Sequence, residues 1–165
     1  MLRGVQAHDV MAGSLLRIPP DLTLQDAVDR YFMRYDHSAF PVEEQGRTIG
    51  LLTLRKLRRV PSDQWPTRWV RDHMVPLGDQ VVVPLDAPMN QVMAKLEDGE
   101  AGRVLVAEDG EVMGIITPSD LTRRLRRWRA LDNRALDSRA RDSKARQEDS
   151  RRSDEVTDHD MRSLP

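Results

Sequence analysis

Apolar positions along this chain fall into two registers, one helical and one extended, and the same order of registers occurs twice. Leu24, Ala27, Val28, Tyr31, Phe32 and Tyr35 recur at three and four residues, which predicts one apolar stripe on a helix. Thr23 and Asp26 ahead of it have capping-box spacing. Met89, Val92, Met93 and Leu96 repeat the stripe, with Pro88 suited to a first helical turn and Gly99 and Gly102 placed to stop it. A short apolar run closed by proline precedes each helix: Leu15 to Ile18, then Gln80 to Val83. A predicted hairpin follows each helix. Residues 39–43 and 48–53 flank Gln45-Gly46, and residues 103–107 and 112–117 flank Asp109-Gly110. These hairpin strands are near-continuous apolar runs, so both of their faces are expected to be covered. A second helix is expected after each hairpin.

The repetition extends to single residues. Gly46, Gly50 and Thr53 meet Gly110, Gly114 and Thr117 at a constant offset of 64. Asp9-Val10-Met11 meets Asp72-His73-Met74 at 63, and Pro19-Pro20-Asp21 meets Pro84-Leu85-Asp86 at 65, as single-residue indels in loops would give. The chain therefore reads as α+β, made of two tandem α/β-type β-α-β-β-α units. One unit of about 60 residues is marginal alone, so the two are expected to pack face to face about a pseudo-two-fold axis and leave a crevice between them. The boundaries are 1–60 for repeat one, 61–68 for a proline-stiffened linker that Trp65 anchors, and 69–131 for repeat two with an extended last helix. Residues 132–165 form a charged tail with almost no large apolar residue beyond about 137, expected to be disordered.

Composition sharpens this. Of 165 residues, 39% are apolar and 32% charged, and the net charge is −1. Residues 1–121 hold 13 basic and 18 acidic side chains, whereas residues 122–165 hold 13 and 9, so an acidic body carries a basic tail. There is no cysteine, which removes disulfides, thiolate nucleophiles and Cys-based zinc sites. No apolar run approaches the ~18 residues of a membrane span. The expectation is a soluble cytoplasmic protein.

The order of short strand, proline, helix, x-Pro-Val strand, acidic-Gly turn and Gly-h-h-Thr-x-x-Asp-Leu resembles a CBS domain, and two in tandem resemble a Bateman module. The likeness covers about residues 5–125. Leu2-Arg3-Gly4-Val5 leading into Asp9-Val10-Met11, and Thr53-Leu54-Arg55-Lys56-Leu57-Arg58-Arg59, are also similar to the CBS pair of bacterial site-2-type membrane metalloproteases. The His-Glu-x-x-His motif of those proteases does not occur in this sequence.

The resemblance implies a regulatory ligand of adenosine type (AMP, ADP, ATP or S-adenosylmethionine) between the repeats. On its pattern Thr117 and the helix start face phosphate, Asp120 accepts from the ribose hydroxyls, and adenine lies near Val81 and Val82. A helix start favours anions and a carboxylate is a good acceptor for a diol. Repeat one keeps Thr53 but has Lys56 where the aspartate belongs. Lysine cannot accept a hydrogen bond, so one competent site is expected, with Lys56 turned to phosphate. Arg103 is a further candidate phosphate partner. The same Thr117-Pro118-Ser119-Asp120 segment is equally a plain capping box with proline at the first helical position.

Other chemistry has little support. His8, His37, His73 and His159 lack metal-ligand spacing, and the acidic pairs on the helices suit solvated faces better than acid–base catalysis. No nucleophile motif or phosphate-cradling glycine loop occurs, so no enzyme activity is expected. Leu121, Leu125, Trp128 and Leu131 form a stripe among Arg123, Arg124, Arg126, Arg127 and Arg129. It reads as buried on the body or in a homodimer contact, with nucleic-acid or anionic-membrane association as the alternative. A ligand-free module that binds a regulated partner protein is the other alternative.

Overall fold

The first repeat opens with a single helical turn, Ala7–Val10 (α1). The apolar run after it pairs only at Ile18, which bridges in parallel to Val42, so this repeat's leading strand shrinks to one bridge. The Thr23 hydroxyl accepts from the Asp26 N–H at 3.1 Å and starts Leu24–Ala27 (α2), which continues as a π-helical turn over Val28–Phe32. Tyr31 and Phe32 set their rings edge-on to Phe40 at 5.7 and 4.8 Å. Phe40 lies on Ala39–Glu44 (β1), which pairs antiparallel with Arg47–Thr53 (β2). The short helix Leu54–Leu57 (α3) follows, capped by Thr53. The linker coils into a 3-10 helix over Ser62–Thr67. Trp65 pins it, donating its indole N–H to the Val60 carbonyl at 3.0 Å and packing on the first core. The structure, a computed structural model, describes residues 4–131 together with residues 142 and 144. The expected tail, 132–165, otherwise lies outside the described residues.

The second repeat runs through Val70–His73 (α4), Val75–Pro76 (β3), Val82–Pro84 (β4), Met89–Asp98 (α5), Val104–Glu108 (β5) and Glu111–Ile116 (β6). Helical residues follow from 118. Both hairpin turns have two successive residues with positive φ: Gln45 at 51° and Gly46 at 77°, Asp109 at 50° and Gly110 at 82°. This is the type I′ geometry whose twist suits a two-residue hairpin, and glycine adopts it without strain. The hairpins share even their irregularity, a register shift at Val42/Glu43 and again at Val106/Ala107.

The sheets are β1-β2-β3 and β4-β5-β6. β3 follows α4 near the start of the second repeat, yet it pairs with the first repeat's β2, Leu51 opposite Val75. Ala12, just after α1 in the first repeat, bridges to Ile115 of β6 in the second. The helical turns beside them are exchanged as well. In α1, the Ala7 and His8 N–H groups donate to the Ala87 and Leu85 carbonyls at 2.9 and 3.0 Å, and Ala7 and Val10 are buried with Val83, Val92 and Ile116. In α4, the Val70 and Arg71 N–H groups donate to Leu22 and Pro20 at 2.9 and 3.1 Å, and Val70 is buried with Ile18, Leu24 and Phe40.

A third apolar layer, with Leu51, Val75, Val81, Leu105 and Ile115, lies between the two sheets. Each sheet thus has a helix-side core on one face and this shared layer on the other, which is why the strands are apolar on both faces.

The chain divides into two units after Thr122. Both repeats and both sheets belong to the first. In the second, residues 123–131 are helical. The expected stripe splits at this boundary. Leu121 packs against the second repeat's core, whereas Leu125, Trp128 and Leu131 belong to the helical segment of the second unit.

Candidate functional site

The starts of the post-hairpin helices lie at equivalent places in the two repeats, and both are capped by threonine. In repeat two the Thr117 N–H and hydroxyl donate to Asp120 Oδ2 at 2.9 and 2.8 Å, while the Asp120 N–H donates back to Thr117 Oγ1 at 3.3 Å. The predicted capping box is closed in both directions. In repeat one Thr53 is buried and accepts from the Lys56 N–H at 3.1 Å, with no carboxylate to return the bond.

Arg103 stands just before β5. Its Nε and Nη2 donate to Ser38 Oγ at 3.2 and 2.5 Å and its Nη1 to the Gly102 carbonyl at 2.7 Å, which ties repeat two to the residue preceding β1. Partial burial, and then the nearby Arg55 charge, hold the Arg103 pKa below its ordinary value, with Asp120 acting in the opposite sense. Arg55, from α3, donates to the Glu100 carbonyl at 3.2 Å and lies against Gly102. The Glu100 carboxylate rests on the Lys56 ammonium and lies 3.4 Å from Arg59. The Lys56 hydrogen bond, then its charge, hold the Glu100 carboxyl below the usual range, against a small opposing effect of burial.

The predicted residues Thr117, Asp120 and Arg103 thus share one electrostatic neighbourhood, and Thr53 and Lys56 adjoin it through Arg55 and Glu100. Arg55, Arg59, Glu100 and Ser38 were not among the expected members. The basic run after Thr53 marks the first two. Nothing local marks Glu100 or Ser38.

Val81 and Val82 sit differently. Val81 is 2% exposed and sealed in the layer between the sheets, and its carbonyl accepts from the Leu105 N–H. Val82 is half-buried, and Lys95 donates to its carbonyl at 2.7 Å. A groove of about 620 Å³ lies elsewhere, between the two hairpin turns, lined by Arg17, Glu43, Arg47, Asp109 and Glu111 among others. Arg17 crosses it, paired with Glu43 at 3.1 Å and donating to the Val112 carbonyl at 3.1 Å. None of the expected site residues lines it. Among the described residues, no group of three or more His, Cys, Asp and Glu side chains is arranged to hold a metal ion. Among them also, no helix is long and apolar enough to cross a membrane.

Duplicated β-α-β-β-α units, exchanged at their leading segments and joined by a polar neighbourhood at the second helix starts, define a paired-repeat module. The CBS domain family model matches twice, over residues 7–63 and 70–127. The chain belongs to the CBS domain family, as a tandem pair.

It is 34% identical over 134 residues to zinc metalloprotease Rip3 of Mycobacterium tuberculosis, a match that takes in 78% of this chain and 33% of that protein. The chain spans about a third of the length of the curated relatives it matches. Among solved structures, the CBS-pair protein CBSX2 from Arabidopsis thaliana superposes with a TM-score of 0.65 at 18% identity, over 77% of this chain and 98% of that one. The CBS domain of a bacterial CNNM/CorC family Mg2+ transporter, solved in complex with ATP, superposes with a TM-score of 0.61 at 19% identity, over 73% and 87%.

Proposed function

We propose that this CBS pair is a sensory module that takes one adenosine-type nucleotide at the repeat-two helix start and passes on its occupancy through packing or partner contacts. The observation that carries this reading is the asymmetry of the two helix starts: Thr117 with Asp120 in one, Thr53 with Lys56 in the other. Asp120 supplies the acceptor that a ribose diol needs. Lys56 supplies a donor where the repeat would place a second acceptor. Arg103 faces the phosphates, and Val82 offers apolar contact to the base. The ATP complex of the Mg2+ transporter CBS domain supports the ligand class at the level of the shared fold.

A thermal-shift screen against AMP, ADP, ATP and S-adenosylmethionine tests it. A ligand at 100 times its Kd should stabilise the native state by about 2.7 kcal/mol, and Asp120→Ala should abolish the shift. No shift with any of the four would favour the ligand-free interaction module, in which the Thr117–Asp120 box is only a cap.

The likeness to Rip3 favours a second reading about the regulated partner: a site-2-type membrane protease, on the same chain or another. Co-expression of the CBS pair with such a protease, with cleavage followed at varied nucleotide level, tests that reading. Cleavage indifferent to both the pair and the nucleotide would count against it.

A further inference from the structure

Glu100 sits in the turn between α5 and β5, a turn closed by the Gly102 N–H donating to Gly99 at 3.1 Å. From repeat two it reaches residues of repeat one. Its carboxylate bridges Lys56 and Arg59, its carbonyl accepts from Arg55, and a Cβ at neighbouring Gly102 would come within 3.1 Å of Arg55 Nη2. Gly102 has a φ of +58°, a conformation glycine adopts readily. With Arg103 beside it, the cations Arg55, Lys56, Arg59 and Arg103 outnumber the carboxylates Glu100 and Asp120. Glu100 is 49% exposed at its side chain, so it is a single, displaceable negative charge on a cluster suited to more.

We infer that Glu100 is an internal competitor for a diphosphate or longer phosphate chain, which would displace its carboxylate from Lys56 and Arg59 and release the 99–102 turn from α3. Two properties favour phosphate over another carboxylate. A diphosphate brings more charge than the side chain it replaces, and its oxygens match the forked donors of Arg55 and Arg59. For the adenosine portion alone this rests on the nucleotide reading above. The anion portion stands on the cluster itself.

The test is calorimetric titration of the whole chain with inorganic pyrophosphate. Glu100→Gln keeps the side-chain volume and should bind pyrophosphate about three- to tenfold more tightly than the parent. Adding Lys56→Met to Glu100→Gln should remove that gain, and Glu100→Ala should reproduce it if the glutamine variant unfolds early. Equal affinity with and without Glu100, weaker binding without it, or no pyrophosphate binding by any variant overturns the inference. Nucleotide binding that needs Asp120 while pyrophosphate ignores Glu100 sinks this inference and leaves the nucleotide reading standing. A Glu100-dependent pyrophosphate affinity without binding of any adenosine compound does the reverse.

Discussion

The Met11 thioether lies over the α-carbon of Gly114, where an added Cβ would come within 2.5 Å of the sulfur. Met74 covers Gly50 in the same way, at 2.7 Å. Each repeat's leading methionine thus closes on a hairpin glycine of the other, beside the bridges Ala12–Ile115 and Leu51–Val75.

The two glycines should not tolerate alanine equally. At Gly114 the three nearest atoms are all Met11 side-chain atoms, whereas at Gly50 the nearest is the Val75 carbonyl oxygen, at 2.6 Å. A side chain yields more easily than a paired strand. Gly114→Ala should cost about 1–3 kcal/mol and Gly50→Ala more. Met11→Ala should recover part of the first loss, and Met74→Ala should leave most of the second. Urea unfolding of the four variants checks the order.

Asp120→Ala should separate stability, nucleotide and anion effects. It removes the cap interactions with Thr117, at about 1 kcal/mol. It also takes a negative charge away from Arg103. Adenosine binding should be lost while pyrophosphate binding tightens. Titrations with both ligands read the opposite signs, and a parallel loss of both would contradict the separate roles assigned to Asp120 and the cations.

Acid should erode the cross-repeat ties. Arg71 hydrogen-bonds Glu44 and so holds its carboxyl below the ordinary range, against a weaker effect of burial, as Lys56 does for Glu100. A depressed carboxyl stabilises the fold above its unfolded pKa and loses that contribution as pH falls through its folded pKa. Stability should therefore decline from about pH 4.5, the ordinary value of both groups, downward. Glu44→Gln and Glu100→Gln should each flatten the decline. Both pairs are exposed, so the effect should be small and should shrink further at about 1 M salt. Thermal melts between neutral and acid pH measure it.

Repeat one should not fold alone. A fragment of residues 1–60 lacks Val70, which fills its core, and β3, which completes its sheet. It also leaves Ala7 and Val10 without the second core that buries them. No cooperative unfolding transition is expected from that fragment, whereas the intact pair should give a single one. Circular dichroism during heating distinguishes the two outcomes.

What was legible in the sequence followed from local chemistry. Asp109-Gly110 marks its own hairpin, because aspartate and glycine accept positive φ more readily than most residues, and Gln45-Gly46 matches it at the repeat offset. The constant spacing from Gly46, Gly50 and Thr53 to their partners exposed the duplication, and the apolar strands announced two covered faces. The exchange of α1 and α4 was not legible. A helix of four residues has no periodicity to read, and Asp9-Val10-Met11 does not say which core receives it. The cation cluster was half legible. Lys56 stood out against Asp120, but Glu100 lies 44 residues from Lys56 and meets it only because α3 and the 99–102 turn converge. Val81 is expected near a bound base, and the fold buries its side chain in the layer between the sheets.

The crossed leading segments have a consequence for the 3-10 linker at Ser62–Thr67. A protease that nicked the backbone there would leave two fragments, each with one helical turn buried in the other's interior. They should stay together as a non-covalent pair and part only on denaturation, so a cut chain would run as one species on a sizing column and as two under denaturing electrophoresis.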